Sequence, residues 1–118
     1  YKPFHLIGLE LGISVLSAAL RGEPTGQSRV FRGDAVAVAK RDLAPGDMLD
    51  GEGGYTVWGK LIPASASLQK KALPIGLAHG IRVTRAVKAG SVVSQDDVEK
   101  LADGEVMQLR REAEALVG

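Results

Sequence analysis

AKRDLAPGDMLD, residues 39–50, returns in outline as VTRAVKAGSVVS, residues 83–94. Each stretch puts an arginine two positions before an apolar residue, then a turn with a glycine, then two apolar residues. Arg41 aligns with Arg85, Leu43 with Val87, Gly46 with Gly90, and Met48-Leu49 with Val92-Val93, always 44 residues apart. The centre of Ala44-Pro45-Gly46-Asp47 is the Pro-Gly of a type II turn, whose third position needs the positive φ that glycine adopts without strain. Lys88-Ala89-Gly90-Ser91 supplies the same turn without the proline. The repeat predicts two strand–turn–strand units paired around a pseudo-twofold axis, with Gly46 and Gly90 as their structural turns. A doubled turn unit closes a core without long strands.

The composition agrees with such a body. A chain of 118 residues makes one domain, or one domain with an appendage. Aromatics are only 4% against 45% hydrophobic residues, so the core must be built from Val, Leu, Ile and Ala. Fifteen glycines and five prolines favour short strands and tight turns. Net charge is +1 with both signs interspersed, which leaves no basic footprint for nucleic acid or an anionic membrane. There is no cysteine and there are two histidines, with no H-x-x-x-H spacing, so neither a disulfide nor a metal site is expected.

No apolar run approaches the roughly 20 residues that cross a bilayer. The opening YKPFHLIGLELGISVLSAAL carries Glu10 inside its apolar stretch and little basic character before it, unlike a secretory signal. It also starts without methionine, so the chain is expected to begin inside a longer protein.

Leu6, Leu9, Ile13, Leu16 and Leu20 follow steps of three and four, which predicts an amphipathic helix over 4–21, entered after Pro3 and stopped by Gly22 and Pro24. Gly8 and Gly12 strip side chains from one strip of it. Each costs about 1 kcal/mol against alanine, so another backbone is expected to approach closely there. The helix is therefore expected to stay partly uncovered in the isolated chain. Residues 23–33 read as a polar linker, Ala35–Ala39 as a buried strand, and YTVWG (55–59) as a strand with Tyr55 and Trp58 on opposite faces, one of them in the core. A loop containing Pro63 and a Pro-Ile-Gly turn at 74–76 follow. The Ser94-x-x-Asp97 capping pattern predicts a short helix to about Leu101. A last helix is predicted over Glu105–Leu116, with Val106, Leu109, Ala113 and Leu116 on its apolar face. The expected fold is mainly β, a body of short strands over 34–101 between an N-terminal helix and a C-terminal helix (102–118).

VAVAKRDLAPGDML, ALPIGL and IRVTRAVKAGSVVSQDDV, within residues 34–101, resemble the SAF domain. That β-clip module is shared by sialic acid synthase C-termini, type III antifreeze proteins and the flagellar P-ring assembly chaperone. More narrowly, YKPFHLIGLELGISV, AVAKRDLAPGDMLDGEGGYTVWGK and LPIGLAHGIRV resemble the C-terminal part of homoserine-dehydrogenase-like NAD(P)-dependent oxidoreductases that carry a SAF domain. One branch of these looks like a deoxyxylulose-phosphate reductoisomerase. The resemblance implies that residues 1–22 are the tail of a catalytic and oligomerisation domain. It further implies a Rossmann domain that binds NAD or NADP in the parent, a cytoplasmic homo-oligomer, and no cofactor held by this chain. The alternative reading is an independent β-clip that binds a sugar acid or another small anion. An ice-binding face is disfavoured by Arg41, Lys60, Lys70, Lys71 and Arg85.

Lys40, Arg41 and Arg85 are the candidate anion ligands if the two turns converge, since arginine's planar fork suits carboxylate and phosphate. The plainer reading is edge-strand positions that face water. The loop DGEGGY (50–55) fails the G-x-G-x-x-G pattern, because Thr56 stands where the last glycine belongs. The plain reading is a turn between strands, and the resemblance implies a second one, in which Asp50, Glu52 and Tyr55 pack on the parent enzyme or close over its site. His5 and Glu10 are the acid–base candidates. Five residues apart on a helix, they are about 140° around its axis and are not expected to pair. His79 reads as a turn residue with no ligand partner.

Overall fold

The computed structural model describes residues 3–117 and folds the repeat as two turns about a pseudo-twofold axis. Backbone hydrogen bonds come in pairs offset by 44 residues. Leu43 N–H donates to Val87 O at 2.8 Å and Val87 N–H to Leu43 O at 3.0 Å. Gly46 N–H reaches Val83 O, and Gly90 N–H reaches Ala39 O, both at 2.8 Å. Val83 N–H donates to Asp47 O at 2.8 Å and Ala39 N–H to Ser91 O at 2.9 Å. Each turn closes at 3.0 Å, Asp47 N–H on Ala44 O and Ser91 N–H on Lys88 O. Gly46 and Gly90 have φ of +99° and +80°, as a type II turn demands at its third position.

Four strands carry these turns: β1 (Gly33–Ala39), β2 (Met48–Asp50), β3 (Val57–Pro63) and β4 (His79–Arg82). They form two antiparallel two-stranded sheets, β1 with β3 and β2 with β4. The axis also exchanges the Met48–Arg82 pair with the Val38–Val92 bridge. The core lies between the two units. Leu49, Leu73, Val36, Val38, Val57, Val83 and Val93 are almost fully buried there, and no aromatic among the described residues joins them. β-branched side chains fit such pleated surfaces because their restricted rotamers already suit extended backbone.

The expectation of a mainly β chain is corrected. Among the described residues there are three α-helices, α1 (Ile7–Leu16), α2 (Ala64–Gln69) and α3 (Glu105–Glu114), beside two small sheets and no closed barrel. Much of the extended backbone pairs through isolated bridges rather than ladders. Helix α2 occupies what the sequence presented as a loop. Pro63 sits at its N-cap with extended backbone, and six residues are too few to show a helical period.

Other boundaries also move. The predicted 4–21 helix begins only at Ile7 and finishes in a π turn, Ser17–Arg21, stopped by Gly22 at φ +66°. No side chain of α1 is buried, and beyond the helix itself no described residue stands within 4 Å of where a Cβ would sit on Gly8 or Gly12. Ser94 and Asp97 form the full capping box, yet the turn is a single 3-10 turn over Gln95–Asp97. It stops because Val98 becomes extended, bridges Val83 and is buried. The end of the linker belongs to the body. Phe31 N–H donates to Leu116 O at 3.0 Å and Ala64 N–H to Arg32 O at 2.8 Å.

Tyr55 and Trp58 are both exposed, at 88% and 43%. Opposite-face alternation fails here because Tyr55 precedes the strand, which begins at Val57.

Candidate functional site

Helix α3 docks through charge, where the sequence suggested an apolar face. Val106, Leu109 and Leu116 are exposed, while Met107, Arg110, Ala113 and Glu114 turn inward. Arg110 donates to both oxygens of Asp34, at 2.8 and 2.6 Å, and its Nε–H to Glu114 at 2.7 Å. The Ser67 hydroxyl donates to Asp34 at 2.5 Å. The guanidinium also stacks over Phe31, 4.8 Å from the ring centroid. Burial pushes the Asp34 carboxyl up, but hydrogen bonds from Arg110 and Ser67 outweigh it and hold the pKa below the usual value. Thus β1, α2 and α3 meet at one buried ion pair. Sequence reasoning missed it, although one signal was available. Asp34 shares the phase of Val36 and Val38 in β1, so period two places it on their face.

The predicted anion ligands do not assemble. An antiparallel pair centred on Leu43 and Val87 carries Arg41 and Arg85 toward opposite ends of it. Arg41 is engaged by Asp47 at 2.9 Å, and Lys40 donates to the Gly54 carbonyl. Lys88 is engaged by Asp42 at 2.8 Å and Lys71 by Asp96 at 3.1 Å. Arg85 alone of the three candidates has no side-chain partner among the described residues.

The 50–55 loop is organised by Asp50. Its carboxylate accepts from the Thr56 hydroxyl, from Tyr55 N–H at 2.6 Å and from Thr56 N–H at 3.0 Å. The Thr56 hydroxyl first, and then those two amides, pull the Asp50 pKa down to about 2. Asp50 therefore faces its own loop. A Cβ on Gly54 would sit 2.2 Å from the Asp50 Cγ, so this turn admits only glycine there. Glu52 and Tyr55 are left pointing to solvent.

His5 and Glu10 are corrected as a pair. His5 Nδ1 lies 3.4 Å from a Glu10 carboxylate oxygen. The 140° separation applied to residues of one helix, and His5 lies outside it because α1 starts at Ile7. Both are accessible, so the contact is a solvated one.

One cleft of about 450 Å³ opens between β4 and the start of α3. His79, Glu99, Lys100, Leu101 and Met107 line it, and Gly76, Gly80 and Gly104 leave its wall bare. His79 Nδ1 is 3.1 Å from the Asp50 carbonyl, a hydrogen bond to backbone. Among the described residues no group of three or more His, Cys, Asp or Glu is placed to hold a metal ion. No helix among them is long and apolar enough to cross a membrane.

Fold and site together define a small mixed α/β body built on an internally duplicated turn, sealed by one buried ion pair and bearing an uncovered apolar helix. Comparison with protein-family models and with curated proteins gives no match to this chain.

Proposed function

We propose that this chain is the C-terminal, SAF-type β-clip portion of an NAD(P)-dependent oxidoreductase of the homoserine-dehydrogenase-like family. In this reading it serves assembly or the shaping of the active site and is not catalytic alone. The observation that carries the proposal is α1. The body closes its core without this helix, whose Leu9, Ile13 and Leu16 remain in water, as does Leu20 in the π turn that follows it. Apolar surface costs roughly 25 cal/mol per Å² when left wet, so such a helix is suited to lie against more protein. The partner is then the remainder of the parent enzyme, a cytoplasmic homo-oligomer whose Rossmann domain holds NAD or NADP. Glu52 and Tyr55, held outward by Asp50, offer a second contact to the same partner.

The test is to purify the intact parent polypeptide and titrate it with NADH and NADPH. Binding of one of them, and dissociation of the oligomer on Leu9→Gln with Ile13→Gln, is the expected result. A parent that binds neither nucleotide overturns the reading. The alternative, an independent module for a sugar acid or another small anion, is favoured by one observation, the unpartnered Arg85. Calorimetric binding of sialic acid to this chain, lost on Arg85→Gln, would establish it.

A further inference from the structure

The chain contains no asparagine and two Asp-Gly bonds, Asp50–Gly51 and Asp103–Gly104. A glycine after aspartate has no Cβ to crowd a side chain that folds back on its amide nitrogen. In such a pair the carboxyl can close on that nitrogen. The fold treats the two pairs oppositely.

Asp50 is tied down. Its carboxylate accepts from the Thr56 hydroxyl and from the Tyr55 and Thr56 amides. Gly51 is buried, and a Cβ built on it would stand 3.0 Å from the His79 Cβ. To reach the Gly51 nitrogen, the carboxyl must give up all three donors in a loop with no room to turn. Its pKa of about 2 also keeps it ionised, which opposes the loss of an oxygen as water. Asp103 is held by none of this. Its side chain is 66% exposed and meets Arg111 at 3.0 Å, in a solvated pair of the kind that contributes little. Gly104 is exposed, and among the described residues nothing stands within 4 Å of its Cβ position. Its N–H donates to Ala102 O at 3.1 Å, and no strand or helix includes residues 101–104.

We propose that Asp103–Gly104 is a site of spontaneous isoaspartate formation, and that the fold shields Asp50–Gly51 from the same reaction. The Gly104 nitrogen attacks Asp103 Cγ and gives up its proton, the Cγ–O bond breaks, and water departs to leave a succinimide ring. Water then reopens the ring. Addition at Cγ restores aspartate, while addition at the main-chain carbonyl yields isoaspartate of unchanged mass. The product carries an extra carbon in the backbone where α3 begins, and its free carboxylate sits on Cα, drawn back from Arg111. That α-carboxylate is the group that isoaspartyl carboxyl methyltransferases modify. The change falls on the rim of the cleft, which Ala102, Gly104 and Glu105 line, and outside the core. It is independent of the oxidoreductase reading, since it needs no partner for α1.

Incubating the folded chain at neutral pH and digesting it with trypsin tests the proposal. Isoaspartate is read in peptides 101–110 and 42–60 with an isoaspartyl methyltransferase and labelled S-adenosylmethionine. Label in 101–110 should rise at least about tenfold faster than in 42–60, since the loop must open locally before Asp50 can react. In guanidinium chloride the two rates should converge, because unfolding removes the shield. Thr56→Val should speed conversion at Asp50 and leave Asp103 as it was. Asp103→Glu should abolish label in 101–110, since glutamate cannot close the same ring. Equal rates at the two sites in the folded chain overturn the inference, as does a difference that persists in denaturant or a 101–110 peptide that stays unlabelled.

Discussion

Leu43 and Val87 exchange both of their backbone hydrogen bonds, and the pseudo-twofold axis of the molecule passes between them. One departure from the symmetry shows how the two copies have diverged. The Asp42 carboxylate accepts from Ala89 N–H at 2.9 Å and from the Lys88 ammonium at 2.8 Å. The mates of Asp42 and Ala89 are Ala86 and Pro45. One copy has lost the acceptor where the other has lost the donor. Pro45 fixes the first turn by restricting φ, and Asp42 fixes the second by a side-chain hydrogen bond.

That swap makes a prediction whose sign depends on background. Asp42→Ala should lower the urea midpoint by freeing the second turn. Ala89→Pro in the native chain removes the donor that Asp42 uses and should gain little. In the Asp42→Ala background the same proline has nothing to lose and should restore the midpoint, because it narrows the unfolded ensemble. A double variant no more stable than Asp42→Ala contradicts this account.

Gly46→Val and Gly90→Val should each destabilise by more than about 1 kcal/mol, since a β-branched residue resists positive φ. Chemical denaturation of both variants checks it.

Arg110→Met should cost about 3 kcal/mol by leaving Asp34 buried without its partner. The pH dependence should reverse as well. In the native chain the folded pKa of Asp34 is below its ordinary 3.8, so its contribution is complete above that pH and is lost as pH falls through the depressed value. Without Arg110 burial dominates and raises the pKa, so the variant should become less stable as pH rises above 3.8. Melting curves at several pH values distinguish the two slopes.

Thr56→Val keeps the branched shape but removes the strongest hydrogen bond to Asp50. The Asp50 carboxyl should then titrate above its native value of about 2, moving toward 3.8, in an NMR titration. The Tyr55 and Thr56 amides hold it short of the full return.

Deleting the residues before Glu23 should leave the unfolding midpoint of the body unchanged, because no α1 side chain is buried. A large loss would show that the helix packs on the body in solution.

Local features were legible in the order of the amino acids. The 44-residue repeat specified two type II turns, the glycines carried their positive φ, Gly22 stopped the first helix, and Ser94 with Asp97 built a capping box. Each depends on residues within a few positions of one another, where backbone sterics and short hydrogen bonds decide the outcome. Tertiary structure decided the rest. Arg110 and Asp34 are 76 residues apart, and no periodicity announces that α3 will dock on its charged side and leave Leu109 in water. His5 reached Glu10 because the chain before Ile7 is not helical, and the far edge of β1 was taken up by Leu73, Ser91 and Val93. Such choices compare partners across the whole molecule. A local pattern records which face a residue occupies, and only packing settles what covers that face.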